Sequence, residues 1–115
     1  MLFVCYPQCS TCAKAQRWLE DRGIVFEVRN IKTDRPTKKE LVLWQRESKL
    51  PLHRFFNTSG QKYRELGLSK RLADMPEEEQ FALLASDGML VKRPLLIGGG
   101  RVLVGFREKE WEGVI

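Results

Sequence analysis

Cys9 and Cys12 stand three positions apart in the stretch YPQCSTCAKAQRWLE, where a short apolar run gives way to a helical pattern. A pair at that spacing admits three chemistries: a redox couple, half of a metal site, or two inert buried thiols. The attacking species in thiol chemistry is the thiolate, which the free amides and dipole at a helix N-terminus favour. Cys9 occupies that place and is the candidate nucleophile. Cys12, one turn further on, is within reach to resolve an adduct on Cys9 by closing an intramolecular disulfide. Lys14 and Arg17 follow in the first turns and are candidates for added positive potential. A structural zinc site needs four ligands. Beyond the pair the chain offers Cys5 and one histidine, His53, at no recognised ligand spacing, which weakens the metal reading. The C-x-x-C beside a β-α-β pattern favours the redox reading. Cys5, inside an apolar run, reads as core filling. His53 reads as a surface or packing residue, and Trp18, Trp44 and Trp111 as helix-to-sheet packing.

The elements that must position this pair follow from periodicity. Leu2 to Tyr6 is an apolar, partly β-branched run closed by Pro7, which predicts a buried strand. STCAKAQRWLEDRG predicts a helix ending at Gly23, and IVFEVRNI a second strand, so a helix-length crossover joins two parallel strands. The middle of the chain carries three helical patterns, TKKELVLWQRESKL, SGQKYRELGL and PEEEQFALLASDG. The last opens with Pro76 and three glutamates, which suit the positive end of a helix dipole. RPLLIGG and RVLVGF, joined through Gly98 to Gly100, predict an antiparallel hairpin, and REKEWEGVI a covering helix. The expected order is β-α-β, an all-helical insertion, then β-β-α: an α/β fold.

At 115 residues, with 43% hydrophobic and 30% charged residues, the chain has the size and balance of one globular domain over 1–115. Its core is expected at about 1–32 and 88–115, with the insertion at about 36–87. The first residues carry neither a basic region nor a long apolar span, so neither a signal peptide nor a membrane anchor is expected, and the expected location is the cytoplasm. Three cysteines, an odd number, argue for a transient rather than a structural disulfide. The formal charge of +5 is spread over Lys and Arg interleaved with Asp and Glu, as in KKELVLWQRESK. That pattern suits a solvated basic surface, and no direct nucleic-acid binding is expected.

CYPQCSTCAKAQRWLEDRGI, then FEVRNIKTDRPTKKEL, FFNTSGQKYRELGL and VKRPLLIGGGRVLVGFREKEW, resembles the arsenate reductase-like family, the ArsC/Spx group, over essentially the full chain. The order and spacing of the segments carry the resemblance. It implies a thioredoxin-like, glutaredoxin-like fold with the helical insertion between the second and third strands. It also implies a cis-proline, Pro94, facing the nucleophile from the start of the third strand. Arg93 matches the family's anion-binding arginine, whose planar guanidinium can hold an oxyanion through two parallel hydrogen bonds. Family arsenate reductases use three arginines. The first maps onto Asn57, so that charge is missing, and the third falls near Phe106 and Arg107, which makes Arg107 the candidate substitute.

The best-known reductases of the group keep one cysteine in the motif and rely on glutathione and glutaredoxin. The C-x-x-C form resembles instead the Spx-type regulators, which sense oxidation through the pair and bind the C-terminal domain of the RNA polymerase α subunit. The glycine that those regulators place at the polymerase contact is not evident in WQRESKLPLHRFF. The resemblance implies a cytoplasmic thiol-disulfide oxidoreductase of arsenate reductase type. It would have no bound metal or organic cofactor and an external glutathione/glutaredoxin or thioredoxin reductant. The alternative is a redox-sensing transcriptional regulator.

Overall fold

A computed structural model describes residues 1–114 of the chain. Its four strands, β1 (Leu2–Cys5), β2 (Glu27–Asn30), β3 (Leu95–Gly98) and β4 (Arg101–Val104), form one sheet in the order β2-β1-β3-β4. β1 runs parallel to β2 and antiparallel to β3, and β3 and β4 are antiparallel. Gly99 and Gly100, at φ +59° and +75°, make the tight turn between them, a conformation that favours glycine at both positions.

Side chains on a strand alternate between faces, and here both faces are buried. Phe3, Cys5, Leu96 and Leu103 point to one side, where α1 (Ser10–Asp21) and α6 (Glu108–Glu112) cover them with Trp18, Leu19 and Trp111. Val4, Leu95, Val102 and Val104 point to the other and meet Leu41, Trp44, Phe55 and Leu84 of the insertion. Each such side chain contributes about 1.5–3 kcal/mol by leaving water. Trp111 is fully buried, and its indole N–H donates to the Gly105 carbonyl at 3.0 Å, which anchors α6 to the end of β4.

The insertion between β2 and β3 holds α2 (Lys38–Ser48), α3 (Gln61–Glu65), α4 (Leu68–Arg71) and α5 (Glu77–Ser86), with 3₁₀ turns at Leu52–Phe55, Leu72–Asp74 and Gly88–Leu90. Thr37 caps α2 reciprocally with Glu40. Arg29 of β2 grips the same Glu40 carboxylate through two hydrogen bonds of 2.7 and 2.8 Å, so the first insertion helix is tied to the edge of the sheet. The Arg29 guanidinium, followed by the amide and hydroxyl of Thr37, holds the Glu40 carboxyl down to about 2. α2 packs against β4 and α5.

Two expectations change in detail. SGQKYRELGL is not one helix, because Gly67 takes φ +63° and separates α3 from α4. IVFEVRNI pairs only from Glu27, because β1 starts at Leu2, opposite Glu27, and leaves Ile24 to Phe26 without a partner strand. Phe26 packs its ring edge-on to Phe3 instead, with centroids 5.6 Å apart. Among the described residues, no helix is long and apolar enough to cross a membrane.

Candidate functional site

Cys9 is the N-cap of α1, with extended backbone at φ −90°, ψ 121°. Its amide donates to Tyr6 O at 3.0 Å and its carbonyl accepts the Ala13 amide at 3.1 Å, which fixes the turn from β1 into the helix. Its thiol makes no capping bond, and no acidic residue lies in the first turn of α1. The positive helix end therefore stays uncompensated beside the sulfur. Cys9 is partly exposed, whereas Cys12 is buried, with its sulfur accepting the Tyr6 amide at 3.4 Å. A hydrogen bond to Cys5, and then burial, push the Cys12 thiol far up. The same bond lowers Cys5, against the opposing effect of burial. All three cysteines are free thiols.

The Arg93–Pro94 peptide is cis, immediately before β3. Pro94 is buried, and its carbonyl accepts the Gly105 amide at 2.8 Å, which joins the start of β3 to the end of β4. The Arg93 guanidinium lies over the Tyr6 ring, 5.2 Å from its centroid. Its Nε and Nη1 are buried without a hydrogen-bond partner. Two buried donors of a permanent cation without protein acceptors are costly by themselves, and an anion placed against them could accept from both.

The insertion reaches this point through a short antiparallel stitch. Phe56 bridges Val91, Lys92 donates its amide to Phe55 O at 2.8 Å, and Asn57 donates to Leu90 O at 2.7 Å. Between the stitch, the helix start and the end of β4 opens a cavity of about 510 Å³. Of the residues expected from the sequence, Cys9, Asn57, Arg93 and Arg107 line it together; Cys12 and Pro94 are buried and do not line it. Arg54 and Lys92 also line it, and sequence reasoning passed them over. Their only signal was basic character beside a marked residue: Lys92 precedes Arg93, and Arg54 stands three before Asn57. His53, read as a surface or packing residue, is exposed at the rim of the same cavity. Lys14 and Arg17 instead flank a separate hollow of about 400 Å³ beside Trp18.

Among the described residues, four Lys or Arg side chains and no carboxylate line the cavity that holds Cys9. Such a lining concentrates anions at the sulfur. No group of three or more His, Cys, Asp or Glu side chains that could hold a metal ion occurs among the described residues.

The model of the ArsC family matches residues 5–114. YusI of Bacillus subtilis is 50% identical over 112 residues, covering 97% of this chain and 95% of that protein. A crystal structure of an ArsC family related protein from Bacteroides fragilis superposes with a TM-score of 0.96 at 53% identity, covering 99% of this chain and 96% of that one. The global transcriptional regulator Spx 1 of Bacillus cereus is 28% identical over 104 residues, 90% of this chain and 78% of that protein. The mixed sheet with its helical insertion is accordingly the thioredoxin-like fold expected from the sequence.

Proposed function

The chain belongs to the ArsC family, and from that premise we propose that it is a cytoplasmic thiol-dependent oxidoreductase acting on an anionic oxidised substrate, either an oxyanion such as arsenate or a disulfide that carries carboxylates. One observation carries this reading: the two unpartnered, buried donors of Arg93 at the cavity that contains Cys9. The activity is assigned to one domain over 1–115. Cys9 is the nucleophile, Arg93 the oxyanion clamp, and Arg107, Arg54 and Lys92 supply surrounding charge. Asn57 contributes a neutral polar wall, and Pro94 fixes the backbone behind Arg93.

With arsenate, the Cys9 thiolate attacks arsenic(V), a sulfur–arsenic bond forms, and hydroxide leaves as water. Cys12 then attacks the Cys9 sulfur. The disulfide forms, the sulfur–arsenic bond breaks, and its electron pair stays on arsenic, which departs as arsenite. With a disulfide substrate, the same two attacks release two thiols in turn. In both cases the Cys9–Cys12 disulfide returns to the dithiol through a glutaredoxin- or thioredoxin-type reductant. No bound metal or organic cofactor enters these steps.

The test is turnover of arsenate and of oxidised glutathione by the purified chain with a recycling thiol reductant, against Cys9→Ser. Activity that Cys9→Ser abolishes is the expected result. Absence of both activities in the native chain refutes the enzyme reading. The likeness to Spx 1 favours one second reading, a redox-responsive regulator that meets the C-terminal domain of the RNA polymerase α subunit. Failure of oxidised and reduced protein alike to bind that domain removes it.

A further inference from the structure

Cys5 has no part in the chemistry just described, yet its environment is not that of an isolated core thiol. It closes β1 on the face covered by α1, and it is 4% exposed. Cys12, 3% exposed, comes from the first turn of that helix, and its sulfur accepts the amide of Tyr6, the residue that follows Cys5, at 3.4 Å. Cys9, one turn back at the N-cap and partly exposed, packs against the same buried cluster. Cys12 thus stands between the buried end of β1 and the exposed start of α1. Thiol–disulfide exchange requires an attacking sulfur against a central sulfur that carries a leaving sulfur, and Cys5, Cys12 and Cys9 supply them in that order along this path.

We infer that Cys5 is a third redox cysteine, which takes the disulfide inward from Cys9–Cys12 to Cys5–Cys12. This rests on the proposed function for the origin of the first disulfide. In the exchange, the Cys5 thiolate attacks Sγ of Cys12. The Cys5–Cys12 bond forms, the Cys9–Cys12 bond breaks, and its electron pair leaves on Cys9. Cys9 takes up the proton that Cys5 gave up. No external oxidant or reductant is consumed, because the two-electron oxidation only moves from Cys9 to Cys5.

The two disulfide isomers differ in access. Cys9–Cys12 has one sulfur at the cavity, open to a reductant, whereas Cys5–Cys12 has both sulfurs buried. The inward step therefore returns a free thiol to the cavity while the oxidation is held under α1.

One free thiol remains in either isomer, and its identity reports which is present. The native chain is oxidised with diamide, quenched in acid, unfolded and labelled with N-ethylmaleimide at low pH. The tryptic peptide Met1–Lys14, which holds all three cysteines, is then sequenced by mass spectrometry. Label on Cys9 in at least about one molecule in ten is expected. A Cys5 share above about nine-tenths, a tenfold preference for the outer disulfide, overturns the inference while leaving the proposed function standing. Cys9→Ser, given the same treatment, supplies an arm independent of the outer disulfide. Loss of both remaining thiols to an intramolecular disulfide is expected, and retention of both as labelled thiols overturns the inference. Loss of turnover in the arsenate and glutathione assays, with both arms positive, would instead count against the proposed function alone.

Discussion

Replacing Arg93 by Lys keeps the charge and removes the planar fork, so it separates a clamp from a mere cation. Nε and Nη1 are both buried and unpartnered, and in the proposed function a bound oxyanion accepts from both. Each charge-assisted bond is worth about 1.5–3 kcal/mol. An ammonium on a flexible stem replaces one of the pair, so Arg93→Lys forfeits one such bond. Converted at about 1.4 kcal/mol per tenfold, that is a loss of roughly 10- to 150-fold in kcat/KM. The assay is initial-rate reduction of arsenate and oxidised glutathione, repeated at low salt and near 1 M salt. Screening shortens to about 3 Å at the higher salt, which weakens general attraction by Arg54, Lys92 and Arg107 but leaves a direct clamp largely intact. The deficit of Arg93→Lys should persist there. A change under about threefold, or a deficit that salt erases, refutes the clamp and reduces Arg93 to one cation among four.

Asn57→Arg adds a cation where family reductases carry one; with one new charge-assisted bond, kcat/KM for arsenate should rise by about tenfold, and an unchanged rate at unchanged melting temperature would contradict this. Glu40→Gln should cost about 1 kcal/mol at neutral pH, kept modest because the carboxylate is one-third exposed. Arg29 holds that carboxyl at about 2 rather than its ordinary 4.5, so its stabilisation is complete above about pH 4.5 and fades as pH falls toward 2. Chemical denaturation of both proteins across that range should converge at the acid end, and a constant difference would be wrong for the ion pair. Gly88→Ala should lower stability by about 2 kcal/mol or more, because the added methyl would lie 1.8 Å from Ile31 O, where backbone must shift. Calorimetry giving a native-like melting temperature would disprove that close approach.

The β-α-β start and the β3–β4 hairpin were legible because their apolar periods are clean and their turns carry Gly or Pro. The break at Gly67 was less so, since Tyr63 and Leu66 keep a helical spacing across SGQKYRELGL, and a lone glycine is tolerated in many helices. Arg93 was marked only by its resemblance. Arg54 and Lys92 were not marked at all, because charge along a chain does not tell which side chains converge. Their convergence comes from the stitch between Phe55–Asn57 and Leu90–Lys92, a non-local pairing without a periodic signature. Cys5 is the instructive case. Its place inside a continuous apolar run made it core filling, which its burial bears out. What such a run left open was which sheet face it takes, and the face shared with Phe3 and α1 is what puts it in one cluster with Cys12.

The central pair of the sheet joins Val4 to Leu95, near opposite ends of the chain. On a ribosome that adds residues from the N-terminus, β1, the cysteines and α1 emerge first, long before Arg93 or the hairpin exists. A nascent or prematurely terminated chain therefore exposes three thiols on an unfinished sheet without the cations that would select what reaches them. Under the proposed function, chemistry at the cysteines becomes discriminating only when the last strands close, which would make translational completeness and substrate choice one event in this topology.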